Sequence, residues 1–159
     1  MTDLRSRLLE FLGRHDTMTL ATVGPDGEPQ AAAVFYAVDD ELNLYFLSDP
    51  KTRHSQNLQR ESRAAATIQA DGQAWQEIRG LQIEGTVRPV DGTGEKARAV
   101  RAYALRFSFL RGLLENNPAD APVALRGPLA GSRFYLLRPA WIRLIDNNQG
   151  FGHKEEIYQ

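Results

Sequence analysis

Cysteine is absent from all 159 residues. That excludes disulfides, thiolate nucleophiles and cysteine-ligated metals. Charge of one sign is absent too: 19 Lys and Arg stand against 20 Asp and Glu, a net charge of −1. A general nucleic-acid or anionic-membrane surface needs a field of one sign, so neither partner is expected. Long apolar runs are missing. The longest, "AAAVFYAV" at Ala31 to Val38, is too short to span a bilayer. The first residues, "MTDLRSRLLEFLGRH", carry Asp3 and Glu10 within no continuous apolar stretch, so a signal peptide is not expected. A cytoplasmic location is the default expectation. Histidine is scarce. His15, His54 and His153 show no pairwise ligand spacing on a helix or strand face, which sets metal chemistry aside. No G-x-S-x-G and no P-loop occurs; "GTGEKA" misses the P-loop spacing and its Lys-Ser/Thr pair.

What is present reads as one globular domain over residues 1–159, long enough for its own core. Leu4, Leu8, Phe11 and Leu12 recur at helical spacing after Thr2 or Asp3, which predicts an amphipathic helix ending near Gly13. "MTLATV" and "QAAAVFYAV" read as strands joined by the turn-rich "GPDGEP". "DDE" turns the chain into a third strand, "LNLYFLS", with Leu42, Leu44 and Phe46 on one face. A short helix follows over "TRHSQNLQRES". "RAAATIQA" is a strand and Asp71-Gly72 a turn. "LQIEGTVRPV" alternates, with Leu81, Ile83 and Val87 on one side. "DGTGEKARAVRAYALRF" is helical, with Thr93 as N-cap and a stripe of Ala97, Val100, Ala104 and Phe107. "SFLRGLLENNP" extends or repeats that helix to Pro118, and "ADAPVALRGPLAG" is a loop. "SRFYLLRP" and "AWIRLIDN" are two last strands. Hairpins come first and helices are inserted between antiparallel strands. That order predicts an α+β fold with a closed or partly closed barrel, not βαβ winding.

Three stretches carry candidate chemistry. "SDPKTRHSQNL" gathers Ser48, Lys51, Thr52, Arg53, His54 and Ser55 at a helix start. Free N–H groups there attract an anion, and Arg53 offers a fork for phosphate; a solvated turn and helix face is the other reading. The alanines before Val34, Phe35 and Tyr36 leave little bulk, so a flat ligand could lie against that backbone. The alternative is a central strand buried on both faces. The tail "IDNNQGFGHKEE" places Phe151 between glycines, which fits a segment that docks or a frayed end.

The order of "MTLATVGPDGEPQAAAVFYAVDDELNLYFLSDPKTRHSQNLQRESRAAATIQA", "LQIEGTVRPV" and "RPAWIRLIDN" resembles the pyridoxamine 5'-phosphate oxidase-like, FMN-binding split-barrel superfamily. The tail is most similar to an uncharacterised bacterial branch of it. The resemblance implies a six-stranded antiparallel split β-barrel with flanking helices. It further implies a homodimer with FMN at the interface and oxidoreductase activity on an unknown small molecule. The family's Ser-Arg-Lys phosphate segment falls on Thr52, Arg53 and His54. Arg53 matches, and His54 replaces the lysine with a side chain mostly neutral at pH 7. Lys51 stands close enough in sequence to compensate. The isoalloxazine strand falls on Val34, Phe35 and Tyr36, with Ala31 to Ala33 where true pyridoxamine oxidases carry an arginine. Gln82, Trp141 and the Asp146-Asn147 region are the groups contributed across the dimer, and Trp75 and Phe151 are candidates to cover the ring. The tail lacks the substrate-binding arginine and histidine of true pyridoxamine oxidases, which argues against vitamin B6 oxidation itself. The alternative within the same fold is a module without turnover that holds haem, a deazaflavin or no cofactor.

Overall fold

The computed structural model describes residues 2–113, 125 and 127–159. Helix α1, Leu4–Arg14, starts where Asp3 accepts a hydrogen bond from the Ser6 N–H, and it buries Leu8, Phe11 and Leu12 as its spacing dictates. Strands β1, Thr17–Val23, and β2, Pro29–Phe35, form the expected hairpin, with Thr17 opposite Phe35 and Val23 opposite Pro29. Gly27 supplies the positive φ, 82°, that the turn requires. The second predicted strand breaks at Tyr36. Its ring is buried and its hydroxyl donates to the Leu12 carbonyl at 2.7 Å. The chain resumes as β3, Ala37–Val38.

Asp39 organises the next turn. Its carboxylate accepts from the Glu41 and Asn43 N–H groups, the Asn43 amide and the Tyr45 hydroxyl. This network holds Leu42 at a φ of 67° with its side chain fully buried. β4, Leu44–Ser48, is buried on both faces: Leu44 and Phe46 point into the main core, Tyr45 into a second one. α2, Arg53–Arg60, leads to β5, Arg63–Gln69, then a 3₁₀ turn at Trp75–Glu77 and β6, Arg79–Pro89. Leu81, Ile83 and Val87 are buried, as the alternation predicts.

α3, Thr93–Arg106, differs from expectation in its start and at one position of its stripe. Gly92, not Thr93, occupies the cap, with no side-chain bond. Glu95 takes over by accepting from the Asp91 N–H at 2.9 Å while pairing with Arg88. Ala97 is exposed; Val100 and Ala104 pack half-buried against the second core and Phe107 is buried in it, as expected, joined there by Ala99 and Tyr103. Tyr103 sets the centre of the stripe, because its ring meets Phe134 and its hydroxyl donates to the Phe35 carbonyl at 3.1 Å. α4, Phe109–Leu113, continues the helical stretch. The expected stop at Pro118 and most of the loop 119–131 lie outside the described residues.

The two last predicted strands are one, β7, Arg133–Asp146. Pro139 is tolerated because it sits at a bulge: Glu84 pairs with Trp141 and Gly85 with Pro139, leaving Ala140 extra. Gly85 has no room for a side chain there. A Cβ would stand 2.2 Å from the Arg138 carbonyl oxygen and 2.9 Å from the Pro139 Cα. The tail docks onto its own sheet. After a 3₁₀ turn at Asn147–Gln149 it forms β8, Lys154–Tyr158, antiparallel to the end of β7.

The strand path is β2-β1-β5-β6-β7-β4-β3, with β8 added on β7. β2 and β3 are two halves of one strand bent at Tyr36, so both ends of the path belong to the same stretch of chain and the sheet curls back on itself. Counted this way, six antiparallel strands make the expected split barrel, and β8 is an addition. The inner face carries the main core of Leu8, Met18, Leu20, Phe46, Ile83 and Leu144 with their neighbours. Each such side chain contributes about 1.5–3 kcal/mol by leaving water. The smaller core lies between α3 and the outer side of β4 and β7.

Candidate functional site

β4 ends at Ser48, and the turn that follows is closed by the Thr52 N–H donating to the Asp49 carbonyl and the Lys51 N–H to the Asp49 carboxylate. Thr52 then caps α2 by accepting from the Ser55 N–H at 3.3 Å. The strand end and the helix start thus bring hydroxyls together. Ser48 Oγ lies 2.6 Å from His54 Nε2 and 3.1 Å from Thr52 Oγ1. Thr52 Oγ1 is 3.2 Å from the same nitrogen, and Ser55 Oγ is 2.8 Å from Thr52. Burial pushes the His54 imidazole below its ordinary pKa, so it is neutral at pH 7. The N–H groups of Arg53 and His54 have no acceptor within the helix, as for any first turn.

A buried polar chain fixes the helix. Asn57 donates to Thr22 at 3.0 Å, Thr22 donates to Gln30 at 3.0 Å, and Arg60 donates to Asn57. Thr22 and Asn57 are almost wholly buried. α2 is therefore locked against the β1–β2 hairpin, and Arg53 reaches Glu28 at 3.7 Å, a loose and exposed pair. Lys51 is exposed. The donor set of two hydroxyls, an imidazole, a guanidinium and two free N–H groups fits the chemistry of a phosphate.

β2 touches both β4 and α2. It is exposed at Ala31, Ala33 and Phe35 and half-buried at Ala32 and Val34, not buried on both faces. Val34 packs against the main core and Phe35 stands edge-on to Phe107. Tyr36 turns inward and is buried backbone and all, its N–H donating to the Asp16 carbonyl at 2.9 Å, so the exposed part of this strand ends at Phe35.

The remaining candidates gather elsewhere. Ser48 pairs with Arg133 at the start of β7, whereas Trp75 and Phe151 meet beyond its end, ring centroids 5.9 Å apart. Both rings are exposed. Asn147 ties their loops together, donating to the Trp75 and Ile78 carbonyls and accepting from the Gly152 N–H. One chain does not bring this aromatic pair to Ser48. Gln82 lies on the outer sheet face, in a cavity of about 620 Å³ with Trp141, Arg143, Glu156 and Tyr158. Sequence reasoning missed Arg143, Glu156 and Tyr158. The alternation of "KEEIY" is the signal that could have found the last two, had it been read as a strand.

His54 gives a pH prediction. A histidine whose folded pKa lies below its unfolded value of about 6.5 favours the neutral folded state. That stability is present above pH ~6.5 and is lost as pH falls through the folded pKa. Glu61 and Glu95, held down to about 2 by bonds from Arg63 and Arg88, lose theirs only at lower pH. Urea unfolding between pH 8 and 5 is therefore expected to show a steeper decline for the wild type than for His54→Gln. Parallel curves would contradict the burial of a neutral imidazole.

The sequence model of the pyridoxamine 5'-phosphate oxidase family matches residues 4–144. A UPF0306 protein of Klebsiella pneumoniae is 34% identical over 133 residues, 83% of this chain and 78% of that protein. Among solved structures, a haem-binding protein of Mycobacterium smegmatis superposes with a TM-score of 0.73 at 16% identity, covering 99% of this chain and 59% of that one. This chain thus spans little more than half of that protein. HutZ, the haem storage protein of Vibrio cholerae, gives a TM-score of 0.66 at 17% identity, covering 99% and 95%. At those identities the likeness is one of fold. No helix among the described residues is long and apolar enough to cross a membrane. By the extent of the family match and its UPF0306 relatives, the chain belongs to the pyridoxamine 5'-phosphate oxidase family.

Proposed function

We propose that the chain is an FMN-binding flavoprotein, an oxidoreductase for a small molecule, working as a cytoplasmic homodimer with the cofactor at the interface. The observation that carries this reading is the gathering of Ser48, Thr52 and His54 at the start of α2, with Arg53 at its first position, on a fold shared with the family. These residues would hold the phosphate, with Lys51 adding charge. The end of β2 at half-buried Val34 and exposed Phe35 would carry the ring, with Tyr36 buried behind it. Gln82, Trp75 and Phe151 lie on other parts of the protomer and would complete the site from the second copy. The outer sheet face suits such a copy: Thr19, Ala31, Ala33, Ala65 and Thr67 are small and exposed there. Bound FMN supplies hydride and electron chemistry. The chain's residues bind, orient and set the charge around it.

One observation favours a second reading. A neutral His54 bonded to Ser48 and Thr52 gives no fixed charge where the family has lysine. A module of the same fold holding haem, a deazaflavin or nothing is consistent with that, and both solved neighbours named above are haem proteins by description. A visible spectrum of the purified protein, repeated after excess FMN and desalting, separates the readings. A retained flavin spectrum at one FMN per chain, on a species that scatters light as a dimer, is the expected result. A haem spectrum, or no retained chromophore, would replace the flavin reading with the second.

A further inference from the structure

His54 stands where the family carries lysine, and the hydrogen bonds around its ring show how a charge can arrive together with a ligand. Nε2 lies 2.6 Å from Ser48 Oγ and 3.2 Å from Thr52 Oγ1. The Thr52 hydroxyl already has acceptors, the Asp49 carbonyl at 2.9 Å and Ser55 Oγ at 2.8 Å. Ser48 has one proton to give. While Nε2 is bare, that proton is drawn to the ring. Once Nε2 carries a proton, the ring donates to Ser48 Oγ, and the Ser48 O–H is released for another acceptor. One protonation thus adds a positive charge and frees a donor in the same cluster.

The groups around the ring are few. Phe46 closes its core side at 6.5 Å, with Tyr135 of β7 stacked behind. Lys51 and Arg53 flank it in sequence; the Asp49 carboxylate accepts the Lys51 N–H, Glu28 lies beside Arg53, and Arg133 is in register with Ser48. β1 and β2, which pack on α2, carry no ionisable side chain. On β6, Arg79 pairs with Asp146, Arg88 with Glu95, and Glu84 stands on the outer sheet face. Among the described residues, only Ser48 and Thr52 bond to the imidazole. Burial alone displaces it from its ordinary pKa.

We infer, on the flavoprotein reading, that this cluster binds the FMN phosphate together with a proton on His54, so that affinity rises as pH falls toward 6.5. The proton comes from solvent and goes onto the imidazole; no bond to phosphorus changes. An anion beside the ring favours the imidazolium over the neutral form. A ligand that does so binds more tightly as pH falls, until the free protein is itself protonated. A phosphate ester keeps most of its second charge above a pH of about 6, so the window runs from pH 8 to 6.5. Lysine would supply the same charge throughout that window. Histidine makes the hold conditional, firmer in mildly acidic surroundings than in mildly alkaline ones.

Titration of the flavin-free protein with FMN at pH 8 and 6.5, followed by flavin fluorescence, reads the coupling, with riboflavin as the same ring without a phosphate. The wild type is expected to bind FMN about tenfold more tightly at pH 6.5, and riboflavin equally at both. Calorimetry in two buffers of different ionisation enthalpy counts the proton directly and needs no variant; uptake of most of a proton per FMN is expected. His54→Lys, its fold checked by circular dichroism, is expected to bind FMN equally at both pH values and more tightly than the wild type at pH 8. A flat wild-type profile without proton uptake overturns the inference and leaves the flavoprotein reading standing. So does a pH dependence that survives in His54→Lys or is shared by riboflavin. FMN bound at neither pH overturns both.

Discussion

Arg53→Ala is expected to weaken FMN binding by about 1.5–3 kcal/mol, roughly ten- to hundredfold in Kd. The magnitude follows from what is lost. Arg53 is the guanidinium of the α2 start and makes only a loose, exposed pair with Glu28 at 3.7 Å. Such a pair contributes little to stability. The fork is thus available to a phosphate, which offers shorter, charge-assisted bonds. Its removal leaves His54, neutral through burial, and Lys51, a flexible point charge. Arg53→Lys should fall between wild type and alanine, because it keeps the charge and loses the two-pronged geometry. Titration of each apoprotein with FMN, followed by flavin fluorescence, measures the series. An alanine variant with wild-type affinity would place the phosphate elsewhere.

Gly85→Ala is expected to cost about 3 kcal/mol of stability, with the melting temperature falling by roughly 6–12 °C. The Cβ would stand 2.2 Å from the Arg138 carbonyl oxygen and 2.9 Å from Pro139 Cα. Both are backbone atoms at a bulge, so no rotamer change relieves the contact. Either β6 or β7 must shift, and the register of Glu84 and Trp141 shifts with it. Gly80→Ala is the control on the same strand. Its Cβ meets only the Gln69 side chain and the Ile68 carbonyl, each at 3.4 Å, and a loss below about 1 kcal/mol is expected, as for a surface change away from such a clash. Urea denaturation of both variants distinguishes them; equal losses would mean that the bulge is more yielding than its geometry indicates.

Much of the barrel could be read from periodicity. The first helix, the hairpin, β4, α2, β5 and β6 all rest on local patterns of two or 3.6 residues. The errors came where a distant partner decided the outcome. Tyr36 breaks an apparently continuous apolar strand because the Leu12 carbonyl, 24 residues earlier, accepts from its hydroxyl. Pro139 looked like a boundary because only the bulge opposite Gly85 makes it tolerable in a strand. The centre of the α3 stripe falls on Tyr103, which meets Phe134 and donates to the Phe35 carbonyl, and leaves Ala97 outside it. Thr93 lost the cap to a reach-back by Glu95 that couples Arg88 to Asp91.

For the site, the gathering of Ser48, Thr52 and His54 was legible, since a strand end at Ser48 and a helix start at Arg53, five residues on, leave little freedom. Arg53 and Lys51 followed only in sequence; the structure turns Arg53 toward Glu28. Trp75 and Phe151, both expected to cover the ring, meet each other, but nothing local indicates that β7 separates them from Ser48. The row of Gln82, Arg143 and Glu156 depends on two registers at once, which no window of sequence contains.

The bend at Tyr36 has a kinetic side. The β1–β2 hairpin joins neighbours in sequence and can form within microseconds. Closing the ring requires β4 to find β7, with Leu44 meeting Leu137 across roughly ninety residues of chain. The entropy of that closure must be met before its contacts return anything. Ser48, the last residue of β4 and the first of the cluster with Thr52 and His54, is held by the same pairing through Arg133. That cluster therefore matures with the slowest, most non-local step of folding, and a chain stalled before closure has its hairpin but no assembled Ser48–Thr52–His54 cluster.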